Sequence, residues 1–106
     1  MSARCFVVER QNDKDSTSNL SEFGEIVYVF KAGQDRPSVF DTAKLSEAIF
    51  DVLDKADYRS DRDYIVLSGS LNMMASLVAV AINYQGISKA LMFDFAGKKY
   101  RQVEIG

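Results

Sequence analysis

The chain contains no histidine and no tryptophan, and it has one cysteine and one proline in 106 residues. Without histidine there is no Ser-His or Cys-His nucleophilic pair. There is no histidine-ligated zinc site either, and Cys5 alone cannot build a thiolate one. A histidine pH switch is equally excluded. Any catalysis would fall to Asp, Glu, Tyr, Lys, Arg, Ser or Cys5, with carboxylate-bound magnesium as the one plausible metal. No catalytic residue, metal site or cofactor follows from the sequence. The absence of tryptophan removes the largest aromatic anchor and leaves five tyrosines and seven phenylalanines. A lone cysteine forbids an internal disulfide and fits a reducing compartment.

Long hydrophobic runs are missing as well. The longest, Met73 to Ile82, is broken by Ser76 and falls short of the ~20 residues that span a bilayer. The start, "MSARCFVVERQ", lacks the apolar core of a signal peptide. The expected location is the cytoplasm, or a host's cytoplasm for a viral protein. Charge is nearly balanced, 13 basic against 15 acidic residues for a net of −2. That gives little drive toward nucleic acid or anionic lipid, which need a basic surface.

What is present reads as a single α/β domain over 1–106, on the α+β border. Residues 4–10 are β-branched and aromatic, a strand pattern. Residues 11–22, "QNDKDSTSNLSE", are a polar, flexible loop with one leucine. In 25–31 both faces of a strand are apolar, so both are covered. Asp41 or Thr42 caps a helix whose apolar stripe is Leu45, Ala48, Ile49, Val52, Leu53 and Ala56, the spacing of one buried face. Tyr64 to Leu67 reads as a central parallel strand. A second helix runs from Leu71 to Tyr84, apolar nearly all round, and Gly86 stops it in a left-handed conformation. Residues 88–95 and 99–105 form a closing hairpin with a polar edge strand. The order is β-β-α-β-α-β-β in one small mixed sheet, with a parallel core and antiparallel hairpins at both edges.

The stretch "YIVLSGSLNMMA" carries the main candidate site. A strand that runs through Ser68-Gly69-Ser70 into a helix aims backbone N–H groups at the C-terminal sheet edge, where ligands bind in open α/β sheets. Ser68, Ser70 and Asn72 would add side-chain donors for a small anion or nucleotide. No lysine or arginine stands in the stretch, so Arg36, after the second strand, is the candidate cation. The plain alternative is a tight turn at Gly69 with Ser70 as helix cap.

Other features each have a bland explanation. Asp57, Asp61 and Asp63 in "DYRSDRDY" could hold magnesium, but Arg59 and Arg62 compete, and a solvated loop explains them. Asp94 sits between Phe93 and Phe95 and is either a buried acid or a solvent-facing edge residue. Lys89, Lys98, Lys99 and Arg101 could touch a phosphate backbone, or simply protect a sheet edge. Cys5 reads as a small buried hydrophobe.

A helix as apolar as 71–84 is deeply buried or part of a subunit interface. Met73, Leu77, Val80 and Tyr84 are therefore expected to form a homodimer contact. The resulting reading is a non-enzymatic interaction or accessory protein, of the kind viral genomes also encode, whose partners are a second copy and another protein. The alternative is an anion- or nucleotide-binding domain built on Ser68, Gly69, Ser70, Asn72 and Arg36.

Overall fold

A computed structural model describes residues 2–9, 19–30, 37–38, 40–68 and 71–104. Five strands form one sheet: β1 (Arg4–Glu9), β2 (Glu25–Phe30), β3 (Tyr64–Leu67), β4 (Ala90–Asp94) and β5 (Lys99–Val103). Their order in space is β2-β1-β3-β4-β5. The two helices are α1 (Thr42–Lys55) and α2 (Leu71–Tyr84). The expected order of elements and the mixed sheet are both present.

One pairing differs from expectation. β1 and β2 run parallel, with Arg4 opposite Glu25 and Glu9 opposite Phe30, so the N-terminal edge is not a hairpin. Antiparallel pairing is confined to β4 and β5. The physical reason lies in residues 10–24, which join β1 to β2. They exceed the dozen or so that a crossover needs. Their leucine, Leu20, sits in a short 3-10 turn, Leu20–Glu22, and is fully buried with Cys5, Val7, Val66 and Leu91. Of the flexible loop expected over 11–22, residues 11–18 lie outside the described residues. From residue 19 on, the buried leucine lays the end of the connection across the sheet.

The two faces are thus covered differently. Phe6, Val8, Val29 and Ile65 pack under Leu45, Ile49 and Leu53 of α1 and Met73 and Leu77 of α2. Cys5, Val7 and Val66 face the other way, against Leu20, with Phe23 alongside. The chain winds from β1 outward to β2, then returns past β1 to β3. Right-handed crossovers place connections on opposite faces when the winding reverses, and Leu20 lies on the face opposite the helices.

Local signals are met where they were read. Asp41 caps α1, its carboxylate accepting from the Lys44 backbone N–H at 3.2 Å. Gly86 follows α2 with φ of 91°, in the left-handed region, and its N–H reaches the Ala81 carbonyl at 2.9 Å. The buried Tyr58 hydroxyl donates to the Gly86 carbonyl at 2.8 Å. Gly24 lies so close to β1 that a Cβ there would come within 2.3 Å of the Ala3 carbonyl oxygen.

The loop 57–63 is not simply solvated. Asp63 is fully buried while its neighbours Asp57 and Asp61 are exposed. Its carboxylate accepts from the Arg4 backbone N–H at 3.1 Å and the Arg59 N–H at 2.9 Å. The Arg62 guanidinium binds both oxygens at 2.9 Å. Arg62 and Arg4 also donate to the Asp57 carbonyl, at 2.7 and 3.2 Å. Burial alone would raise the Asp63 carboxyl, but the Arg62 guanidinium and the Arg59 and Arg4 backbone N–H groups outweigh it and hold it below its ordinary value.

Two outcomes are expected in thermal melts. Leu20→Ala leaves a cavity on the second face and costs about 2–5 kcal/mol, with both helices retained by circular dichroism. Asp63→Asn removes the charge that neutralises the Arg62 guanidinium and sets an amide among the donors around it, which costs about 3 kcal/mol, a fall of roughly 10–20 °C for a domain this size. Because folding lowers the Asp63 pKa, its stabilisation is complete above the pH where an unfolded aspartate titrates, about 3.9. It is lost as pH falls through the lower folded value. The Asn variant should lack that acid-side loss.

Candidate functional site

The strand-to-helix junction lies at the C-terminal edge of β3. This edge is also where the winding reverses, between β1 and β3, the position that opens a crevice in α/β sheets. Ser68 donates its backbone N–H to the Val66 carbonyl at 3.2 Å, and its buried hydroxyl has no hydrogen-bond partner among the described residues. Asn72 is exposed in the first turn of α2. Gly69, Ser70 and Arg36 lie outside the described residues. The strand that Arg36 follows, β2, is separated from β3 by β1, so the two expected halves of the site follow strands that are not neighbours. Continuing the register of Phe6 with Ile65 sets Glu9 level with Ser68, a carboxylate at the same edge.

The second helix divides its apolar residues in a way the sequence did not reveal. Met73 and Leu77 are fully buried in the chain's own core and are not available to a partner. This corrects their reading as interface residues, and the reason is direct: they pack on β1 and β3. Val80 and Tyr84 lie at the seam between α1 and α2. The outward residues are Leu71, 73% exposed, and Ile82, 51% exposed, with Ala75 and Ala79 exposed between them. The helix carries no charged residue in its 14 positions. Beyond it, Met92 on the helix-bearing face of β4 is 48% exposed.

The seam itself is an open groove of about 390 Å³ walled by Ser46, Glu47 and Phe50 of α1 and Val80, Asn83 and Tyr84 of α2. Phe50 meets Tyr84 edge to face at 5.5 Å. Tyr84 leans on Tyr58 at 6.5 Å, and Tyr58 on Phe6 at 5.5 Å. An aromatic chain therefore runs from the sheet to the surface. The Tyr84 hydroxyl donates to Asp54 at 3.1 Å, and Glu47, Asp51 and Asp54 are all exposed on α1. No motif marked this groove. It arises only where two helices meet.

The remaining candidates take structural roles. Asp94 is not buried as an acid: it accepts from the Ala96 and Gly97 backbone N–H groups at 3.0 and 3.2 Å and from Arg101 at 3.2 Å. Those donors, Gly97 first and then Arg101, hold its carboxyl below the ordinary value. Lys98, Lys99 and Arg101 lie on the exposed β4–β5 hairpin, while Lys89 rests over the Tyr64 ring at 5.3 Å. Cys5 is buried, and burial followed by the nearby Asp63 charge pushes its thiol up to about 12, so it is no thiolate at neutral pH. Among the described residues no group of three or more carboxylate or cysteine side chains could hold a metal ion, and no helix is long and apolar enough to cross a membrane.

Comparison with known proteins agrees with a small viral protein. No curated protein and no solved structure matches the chain. One family does match, over residues 3–106, which is nearly the whole length. The chain belongs to the phage Pam3 gp32-like protein family.

Proposed function

We propose that this protein is a small non-enzymatic phage accessory protein that works through protein contacts in the host cytoplasm, beginning with a second copy of itself. The supporting observation is the outer flank of α2. Leu71 and Ile82 are more than half exposed, Ala75 and Ala79 allow close approach between them, and the helix itself carries no charged residue. Contiguous apolar patches on a small domain mark interaction sites. A twofold pairing suits it, because an isologous contact sets the same patch against itself and an uncharged helix meets no like-charge repulsion there. The partner's flank would also reach toward Met92 on the uncovered part of the sheet.

A second reading has one observation in its favour. The buried, unpartnered Ser68 hydroxyl at the reversal of winding suits a small anion or a nucleotide phosphate at the start of α2. Glu9 at the same edge opposes it, so the protein-contact reading is preferred.

Light scattering at tens of micromolar in about 1 M salt should give twice the chain mass of 11.9 kDa. Ile82→Glu should return the monomer mass with both helices retained by circular dichroism, since Ile82 lies outside the core. A monomeric wild type would remove the flank contact. The second reading is tested by melting the protein with phosphate, nucleotides and cyclic nucleotides. A ligand at about 100 times its dissociation constant adds roughly 2.7 kcal/mol, a shift of several degrees. A shift that disappears in Ser68→Ala would establish the anion site, and a flat panel would leave Ser68 as a buried turn residue.

A further inference from the structure

The groove and the β4–β5 hairpin have opposite chemical character. The groove has an aromatic floor, Phe50 on Tyr84, braced through Tyr58 and Phe6 to the sheet. Its α1 side carries two carboxylates, Glu47 in the wall and Asp54 against the Tyr84 hydroxyl, while Asp51 lies further round the helix beside the exposed Lys44 and Lys55. At about 390 Å³ it is near the small end of ligand pockets, about 300–1,000 Å³, with room for an aromatic side chain.

The hairpin turn, residues 95–98, is aromatic and basic. Phe95 is 71% exposed, and Lys98 and Lys99 are exposed beside it. The turn is held in one shape. Asp94 accepts from two of its N–H groups, Phe95 rests edge to face on Phe93 at 5.0 Å, and Lys98 takes a left-handed φ of 54°. A preorganised tip loses little freedom on docking.

Within one copy the two cannot meet. The tip follows β4 at the C-terminal edge of the sheet. Val80, Asn83 and Tyr84 belong to the end of α2, which runs back to the opposite edge. We propose that the hairpin tip of one copy docks in the α1–α2 groove of another. The Phe95 ring enters against Phe50 and Tyr84, and Lys98 and Lys99 meet Glu47 and Asp54. This rests on the self-association reading and extends it. The α2 flank pairs like with like and closes a dimer. Tip and groove are different surfaces, so their contact carries dimers into larger assemblies.

Sedimentation velocity across a concentration series tests this, with wild type, Phe95→Ala, Lys99→Glu, Glu47→Lys, the Lys99→Glu/Glu47→Lys pair and Ile82→Glu. Wild type should exceed the dimer mass at low salt and return to the dimer near 1 M salt, where the Debye length is about 3 Å. Phe95→Ala and each single charge reversal should weaken the larger species about tenfold or more, as loss of an interface anchor does, and leave the dimer intact. The charge-swapped pair should recover it, which a merely structural effect would not. Ile82→Glu should lose the dimer and keep the salt-sensitive association, so failure of the flank contact and failure of the tip contact are separate results. The proposal is overturned if wild type stops at the dimer mass, if Phe95→Ala associates like wild type, or if the swapped pair associates no better than the single reversals.

Discussion

The buried carboxylate of Asp63 is the constraint on which the rest of the sheet hangs. It takes the first backbone N–H of β1 and the N–H that closes the turn before β3, and it neutralises Arg62. β1 and β3 are the neighbouring central strands where the winding of the chain reverses. One side chain therefore sets the start of both, and with it the level at which Cys5 meets Tyr64 and Phe6 meets Ile65. Isolated, such a carboxylate would be costly to bury. Here every donor around it comes from the two segments it joins, so its satisfaction and their alignment are one event.

From that alignment follows an uneven distribution of cover. Both helices lie on one face, over β1, β2 and β3, while β4 and β5 extend past them. On the other face Leu20 and Phe23 close over Cys5, Val7 and Val66. A two-layer domain built this way leaves a helix flank and a strip of sheet without cover of their own. Of the large exposed apolar residues, Leu71, Ile82 and Met92 fall there and Phe95 at the hairpin tip, while Phe40 precedes α1 and Phe50 lies on it. Surface chemistry, more than any pocket, is what this fold offers, and the family match to a phage protein is compatible with an accessory role.

The groove shows how such a surface gains a fixed shape. Phe50 would be an ordinary exposed aromatic on its own. Stacked edge to face on Tyr84, which leans on the buried Tyr58, it becomes part of a rigid wall. The acidic residues of α1 satisfy a helix's need for a solvated face, and one of them, Asp54, also fixes the Tyr84 hydroxyl. Solvation of the helix and the fixing of Tyr84 thus use the same side chain.

Much of the architecture was legible in the residues alone. The stripe from Leu45 to Ala56, the Asp41 cap, the Gly86 stop and the short apolar run Tyr64–Leu67 each state a local geometry that needs no distant partner. Local signals were silent where two segments far apart in the chain decide the matter. Residues 11–22 are polar enough to read as a loop, and only the burial of Leu20 against the sheet makes the first connection a crossover. Asp63 resembles Asp57 and Asp61 in sequence, and the contact that ties it into the sheet comes from Arg4, nearly sixty residues away. In the second helix the apolar residues run almost all round, so periodicity could not tell Met73 and Leu77, which the core takes, from Leu71 and Ile82, which it leaves out. The sequence by itself determined the elements, their order and the exclusion of histidine chemistry, because those depend on residue type and short-range spacing. Tertiary structure alone decided which charge is buried, which apolar face stays open and where a groove forms, because each of these is a property of two surfaces brought together.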